Sequence, residues 1–105
     1  MDEPSQAVDR TTLRQMFNEG NYWDRALYGD LHQAPVADDH IQRKRSGQPP
    51  CTHSQLMAYQ DEQGRQVAIV HQFRRPDGTL GGEGRPDPKL LLQEGVLYVL
   101  DGWSE

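Results

Sequence analysis

One histidine in this sequence is followed by basic residues in a pattern that could support cleavage of a phosphodiester bond. Beyond His71 the chain carries Arg74, Arg75, Arg85 and Lys89. Cleavage of RNA without a metal needs a general base, a general acid and cations that stabilise the charge of the transition state. These residues are therefore the candidate catalytic set of a metal-independent, ribonuclease-like enzyme.

The stretch that carries His71 has the pattern of a β-strand that ends in a turn. Apolar side chains alternate over residues 65–74, which is the period of a strand. Residues 76–78 are Pro-Asp-Gly, three types that each favour a turn for a different physical reason. If this turn folds the chain back, His71 meets Arg85 and Lys89 at one end of the sheet.

Alternation also predicts which side chains share a face of this strand. The more apolar face is expected to meet the helices, and it carries Val67, Ile69, His71 and Phe73. The second, mixed face carries Ala68, Val70, Gln72 and Arg74. A histidine on the apolar face is more often structural than catalytic, so the pattern favours a structural role for His71.

Other polar clusters lack the spacing of a known kind of site. Cys51 and His53 follow His32 and His40, but neither C-x-x-C nor H-x-x-x-H spacing occurs. Cys51 as a nucleophile would need a third group to orient its base, and the sequence offers none. The glycines of residues 78–84 lack the lysine of a phosphate-binding loop. We therefore expect no metal and no cofactor.

Composition limits the class of partner and the compartment. The net charge is −5, whereas binding to nucleic acid usually depends on a basic surplus, so DNA and RNA are not favoured partners. No apolar run approaches the ~20 residues that a membrane span needs. The acidic N-terminus does not resemble a signal peptide, and the single cysteine cannot form an intrachain disulfide. We expect a soluble, cytoplasmic protein.

Two short helices are predicted near the N-terminus. Residues Thr12–Gln15 have the form of a capping box, although Asp9 or Thr11 could serve as the N-cap instead. Apolar residues then recur at helical spacing, and Gly20 interrupts the pattern with a residue that tolerates the left-handed conformation. Residues 12–28 therefore form two short helices, or one helix kinked at Gly20.

The rest of the chain is predicted as a long loop followed by strands. Periodicity fades between residues 30 and 53, so 30–53 is expected to be a long irregular loop and a candidate binding segment. Residues 55–60 and 65–74 predict a hairpin, and the β-branched residues of 96–100 predict another strand. Residues 89–93 fit either a strand or a helical turn, and the following Glu-Gly turn favours a strand.

These elements predict a single α+β domain over residues 1–105, with residues 1–10 frayed. One or two short N-terminal helices would pack on a three- to five-stranded antiparallel sheet. This layering is broadly similar to that of small microbial ribonucleases and ribonuclease toxins. The acidic charge favours instead a non-enzymatic accessory module that binds another protein or self-associates as a homodimer, with the ribonuclease-like enzyme as the alternative.

Overall fold

Two helices pack on one face of a six-stranded sheet. The computed structural model describes residues 4–40, 51–81 and 84–103. Along the chain the elements are β1 (Ser5–Val8), α1 (Arg10–Glu19), α2 (Tyr22–Leu27), β2 (His32–His40), β3 (His53–Gln60), β4 (Gln66–Arg74), β5 (Asp87–Gln93) and β6 (Val96–Leu100). The strand order is β1–β6–β5–β4–β3–β2, and β1 pairs with β6 in parallel while the other pairs are antiparallel. The α+β class is as predicted, but the sheet is larger and mixed.

Two of the six strands were not predicted, because both lie at edges of the sheet. β1 falls in the stretch expected to be frayed, yet backbone bonds from Leu97 to Pro4 and from Asp101 to Val8 tie it to β6. β2 occupies much of the predicted 30–53 loop, while residues 41–50 of that loop lie outside the described residues. Both strands are largely exposed and therefore show no apolar alternation.

Helix α1 begins at a short-range capping hydrogen bond. Asp9 is the N-cap of α1, because the Thr12 amide donates to its Oδ1 at 2.9 Å, so the capping box at Thr12 was the wrong alternative. Two helices form rather than one kinked helix. Neither of them is both long and apolar enough to cross a membrane.

Gly20 is needed for space rather than for backbone conformation. Its φ is −81°, and the left-handed position is taken by Asn21 at φ 55°. A Cβ atom on Gly20 would lie 2.6 Å from Cε2 of Tyr22. The absent side chain therefore lets the Tyr22 ring turn back over α1, where it stacks on Phe17 with ring centroids 5.8 Å apart.

The face of β4 that meets the helices is the one carrying Ala68 and Val70, contrary to the prediction. Ala68 lies opposite Tyr59 of β3, and the Tyr59 ring contacts Phe17 of α1 at a centroid distance of 6.4 Å. Ile69 is buried but lies outside the core cluster that includes the helices. Alternation within one strand cannot show on which face of the sheet the neighbouring strands place their larger apolar side chains. Here Tyr59 and its counterparts on β5 and β6 place them on the face of Ala68 and Val70.

A β-bulge explains why Val67 departs from the predicted face. Tyr59 pairs with Ala68 and Gln60 pairs with Gln66, which leaves Val67 as the extra residue. Val67 accordingly joins the core cluster with Ala68. The prediction that 89–93 is a strand is confirmed by β5, and a turn with positive φ at Glu94 and Gly95 leads into β6.

The core contains one buried hydroxyl that can be removed without losing a hydrogen bond. Tyr59 is fully buried, and its Oη contacts no hydrogen-bond partner among the described residues. Burial raises the pKa of Tyr59. We expect Tyr59→Phe to raise the free energy of unfolding by about 1 kcal/mol, because an unsatisfied polar group leaves the core.

Tyr22 provides the matched control. Its hydroxyl donates to the Leu92 carbonyl at 3.1 Å, so Tyr22→Phe should lower the free energy of unfolding by about 1 kcal/mol. Urea denaturation of both variants measures the two effects. Destabilisation by Tyr59→Phe equal to that of Tyr22→Phe would contradict the assignment.

Candidate functional site

A pocket opens between α1 and the ends of β4 and β5. Its volume is about 270 Å³. The described residues that line it include Arg14 and Phe17 of α1, His71 and Gln72 of β4, and Arg85 and Asp87 of the returning chain. We call it the Gln72 pocket.

The predicted Pro-Asp-Gly turn leads the chain back toward this pocket. Gly78 has φ 88°, and Asp77 Oδ1 accepts the amide of Thr79 at 2.9 Å. The chain then runs back beside β4, where the Gly81 amide donates to the Phe73 carbonyl at 2.8 Å. Residues 85–87 therefore come to lie against β4.

A chain of three side chains leads across the sheet to the pocket. Gln55 Nε2 donates to Asp38 Oδ2 at 3.0 Å, and Gln72 Nε2 donates to Gln55 Oε1 at 2.8 Å. His53 Nδ1 lies 2.6 Å from Asp38 Oδ1. The side chains occupy matching registers on β2, β3 and β4, since Asp38 lies opposite Gln55 and Gln55 opposite Gln72.

The carboxylate of Asp38 sets the orientation of every group in this chain. A carboxylate accepts hydrogen bonds only, so His53 Nδ1 must carry a proton and Gln55 must present its amino group. The pKa of Asp38 is lowered by the hydrogen bond from Gln55 and then by that from His53, which keeps the group ionised. Gln55 then offers its carbonyl to Gln72, which must in turn present its own amino group.

The carbonyl of Gln72 is left as a buried acceptor. Gln72 is only 8 % exposed, and no donor lies within hydrogen-bond distance of its Oε1 among the described residues. Gln72 is among the residues that line the pocket, and its Oε1 is itself enclosed, so a ligand can reach this oxygen only once the Gln72 side chain turns. A buried acceptor without a donor costs about 1–3 kcal/mol, which a bound donor would recover.

Asp87 holds two cations at the other side of the pocket. Arg14 Nε lies 2.8 Å from Oδ1 and Lys89 Nζ lies 3.2 Å from Oδ2. Burial acts to raise the pKa of Asp87, but the hydrogen bonds from Arg14 and Lys89 together outweigh it, so that pKa is lowered. Asp87 is therefore ionised and engaged through both oxygens.

His71 is half-buried and contacts neighbours on its own face of the sheet. Its Nε2 lies 2.7 Å from Ser54 Oγ, and its ring meets Phe73 edge-on with centroids 4.7 Å apart. Burial lowers the pKa of His71, Lys89 lowers it further, and Asp87 acts in the opposite direction. The ring is thus neutral at neutral pH.

The structure brings some of the predicted site residues together and leaves others apart. His71 and Arg85 line the pocket, and Lys89 joins them through Asp87. Arg74 lies opposite His53 at the end of β4, and Arg75 lies in the following turn. Neither of these two is among the described residues that line the pocket.

Sequence reasoning missed Arg14, Gln55 and Gln72. The two glutamines had a signal, since each shares one face of its strand with two apolar residues, Met57 and Tyr59 on β3 and Ala68 and Val70 on β4. Arg14 had none, because its approach to Asp87 spans 73 residues of chain and depends on how α1 docks. Among the described residues, no group of three or more His, Cys, Asp or Glu is placed to hold a metal ion.

The chain matches no protein-family model, no curated protein and no solved structure. Its function must therefore be inferred from the pocket. Gln72, Asp87 and two arginines line that pocket, a set suited to holding a polar group in a fixed orientation.

The environment of His71 predicts a titration with a defined direction. We expect its ring protons to titrate below pH 6.5 in NMR spectra, because burial disfavours the charged ring. Since the unfolded chain then binds the proton more readily, the contribution of His71 to stability is present above pH 6.5 and is lost as the pH falls.

Two substitutions should move this titration in opposite directions. Lys89→Gln raises the pKa of His71 because it removes a nearby cation, and Asp87→Asn lowers it because it removes a nearby anion. A midpoint at or above 6.5 in the wild-type protein would refute the described surroundings of the ring.

Proposed function

We propose that the protein is a small non-enzymatic module that binds a segment of a partner protein in the Gln72 pocket. The observation that carries this proposal is the buried Gln72 carbonyl, which lacks a donor among the described residues. The pocket is held open by elements that are far apart in sequence, α1 on one side and the chain leading into β5 on the other. The walls of this pocket are preformed, so binding needs only a turn of the Gln72 side chain that brings its enclosed Oε1 to the ligand.

The chemistry of the pocket favours binding over catalysis. A glutamine amide neither gives up nor takes a proton in water, so Gln72 can orient a ligand but cannot act as acid or base. Asp87 is ionised and paired with Arg14 and Lys89, which removes it as a general acid. His71 is left as the one histidine of the pocket lining among the described residues.

The size of the pocket favours part of a protein chain over a separate small molecule. Sites for small ligands usually enclose about 300–1,000 Å³. The Gln72 pocket, at about 270 Å³, lies below that range and would hold one or two residues. An extended segment also brings backbone N–H groups, which are the donors that Gln72 Oε1 lacks.

The partner is proposed to be another protein, with a second copy of this chain as the other outcome. β2 is an unattractive edge for pairing of two copies, because it contains Pro35 and a bulge at Val36. Sedimentation at high concentration separates the two cases. A cytoplasmic location is part of the proposal and rests on the single cysteine, which cannot form an intrachain disulfide.

Selection from a library of random linear peptides provides the test. Peptides recovered on the immobilised protein are synthesised, and their affinity is measured by fluorescence anisotropy. We expect Gln72→Met to weaken binding by about tenfold or more, because the variant keeps the length of the side chain but has no acceptor. The amide resonances of Asn18, Phe73 and Gly81 should shift when the peptide binds to the wild-type protein, because these residues line the pocket.

Gln66→Met is the matched control. Gln66 lies on the same strand but is exposed and does not line the pocket, so this substitution should leave affinity unchanged. Thermal melts show whether Gln72→Met remains folded. The proposal fails if no peptide is recovered, or if the resonances that shift lie at the β3–β4 turn around Gly64 instead of around the pocket.

A ribonuclease-like activity is the second candidate. It is favoured by one observation, that His71 lines the same pocket as Arg14 and Arg85. In that function His71 is the base and the arginines, with Lys89, stabilise the phosphate charge. The test compares RNA cleavage by the wild type and His71→Ala, and equal background rates would exclude this function.

A further inference from the structure

The Gln72 pocket is locally positive on a chain whose net charge is −5. The described residues of the pocket and their immediate partners include three cations, Arg14, Arg85 and Lys89, and the single carboxylate of Asp87. His71 adds no charge at neutral pH, because burial lowers its pKa. An anion would therefore find a net attraction at this pocket.

Arg85 is the cation available to a ligand. It is exposed and makes no ion pair with any described residue. Arg14, half exposed, is engaged by Asp87 through Nε and contributes mainly its charge. A guanidinium group pairs well with a carboxylate, because its planar N–H groups match the two oxygens.

We infer that the segment bound in the Gln72 pocket carries an acidic side chain, whose carboxylate pairs with Arg85 while an N–H of the same segment donates to Gln72 Oε1. This inference rests on the proposed function and names the chemistry of the partner. An Asp or Glu residue supplies both groups at once, since its own backbone amide lies a few atoms from its carboxylate.

A single carboxylate fits the charge distribution better than a polyanion does. The positive charge is confined to the pocket, and the chain as a whole is acidic. Successive phosphates of a nucleic acid would extend beyond the pocket over this acidic chain, where like charges repel. A single carboxylate would contact only the cations of the pocket and would not extend over the acidic surface.

A charge swap at the rim tests the inference with the same random peptide library. Wild-type protein should enrich peptides that contain Asp or Glu at one fixed position. Arg85→Glu should lose that enrichment and select Lys or Arg at the same position. The affinity of Arg85→Glu for an acidic peptide selected on the wild type should fall by about tenfold or more.

Arg10→Glu is the matched control, because it changes the net charge of the protein equally. Arg10 is an exposed residue in the first turn of α1, where a glutamate is well tolerated, and it does not line the pocket. This variant should keep the acidic preference and the wild-type affinity within about twofold. Equal losses in Arg10→Glu and Arg85→Glu would overturn the inference, since the effect would then belong to net charge.

The outcomes separate this inference from the proposed function. Peptides that bind in the pocket without an acidic preference would contradict the carboxylate and leave the binding module standing. Recovery of no peptide would remove both. Displacement of the acidic peptide by an oligouridylate can be followed through the side-chain amide signals of Gln72. Such displacement would overturn the inference and identify a nucleic acid as the ligand of the pocket.

Discussion

The carboxylate of Asp38 can only accept hydrogen bonds, and the polar half of the structure depends on that constraint. It orients Gln55, Gln55 orients Gln72, and the last carbonyl is left without a donor among the described residues. Two buried glutamines between β3 and β4 would otherwise be free to exchange their donor and acceptor ends. One exposed charge on the edge strand β2 thus determines the chemistry offered beside α1.

The apolar half of the structure positions the pocket. Phe17 stacks on Tyr22 and contacts Tyr59, which fixes α1 on the sheet and brings Arg14 to Asp87 of β5. Gly20 permits this arrangement because a side chain there would strike the Tyr22 ring. The pocket therefore lies between the apolar contacts of α1 and the hydrogen-bonded side chains of Asp38, Gln55 and Gln72.

Much of the fold could be predicted from local pattern, but the pairing of faces and edges could not. A signal within a few residues predicts four features of the fold: the helices, the 55–74 hairpin, the Pro-Asp-Gly turn and the 89–100 hairpin. β1 and β2 lack one, because edge strands that face water need no alternation. The face of β4 that meets the helices depends on Tyr59 and Leu91, which lie on neighbouring strands, and Val67 departs from alternation at a bulge.

The candidate site was partly visible in the sequence. His71, Arg85 and Lys89 were predicted to gather at one end of the sheet, and they lie around the pocket because the turn at Gly78 folds the chain back. The role of Gln72 could not be predicted, since it depends on a register shared by three strands and on a charge 34 positions away in sequence.

The ¹³Cδ chemical shift of the Gln72 side chain, measured by NMR as a selected peptide is added, tests most directly whether this carbonyl accepts from the ligand. A carbonyl that gains a donor becomes deshielded, so the Gln72 signal should move downfield to saturation with the same midpoint as binding. The Gln55 signal should stay in place, because its carbonyl already accepts from Gln72. Saturating binding with no movement of the Gln72 signal would show that this carbonyl does not receive the ligand.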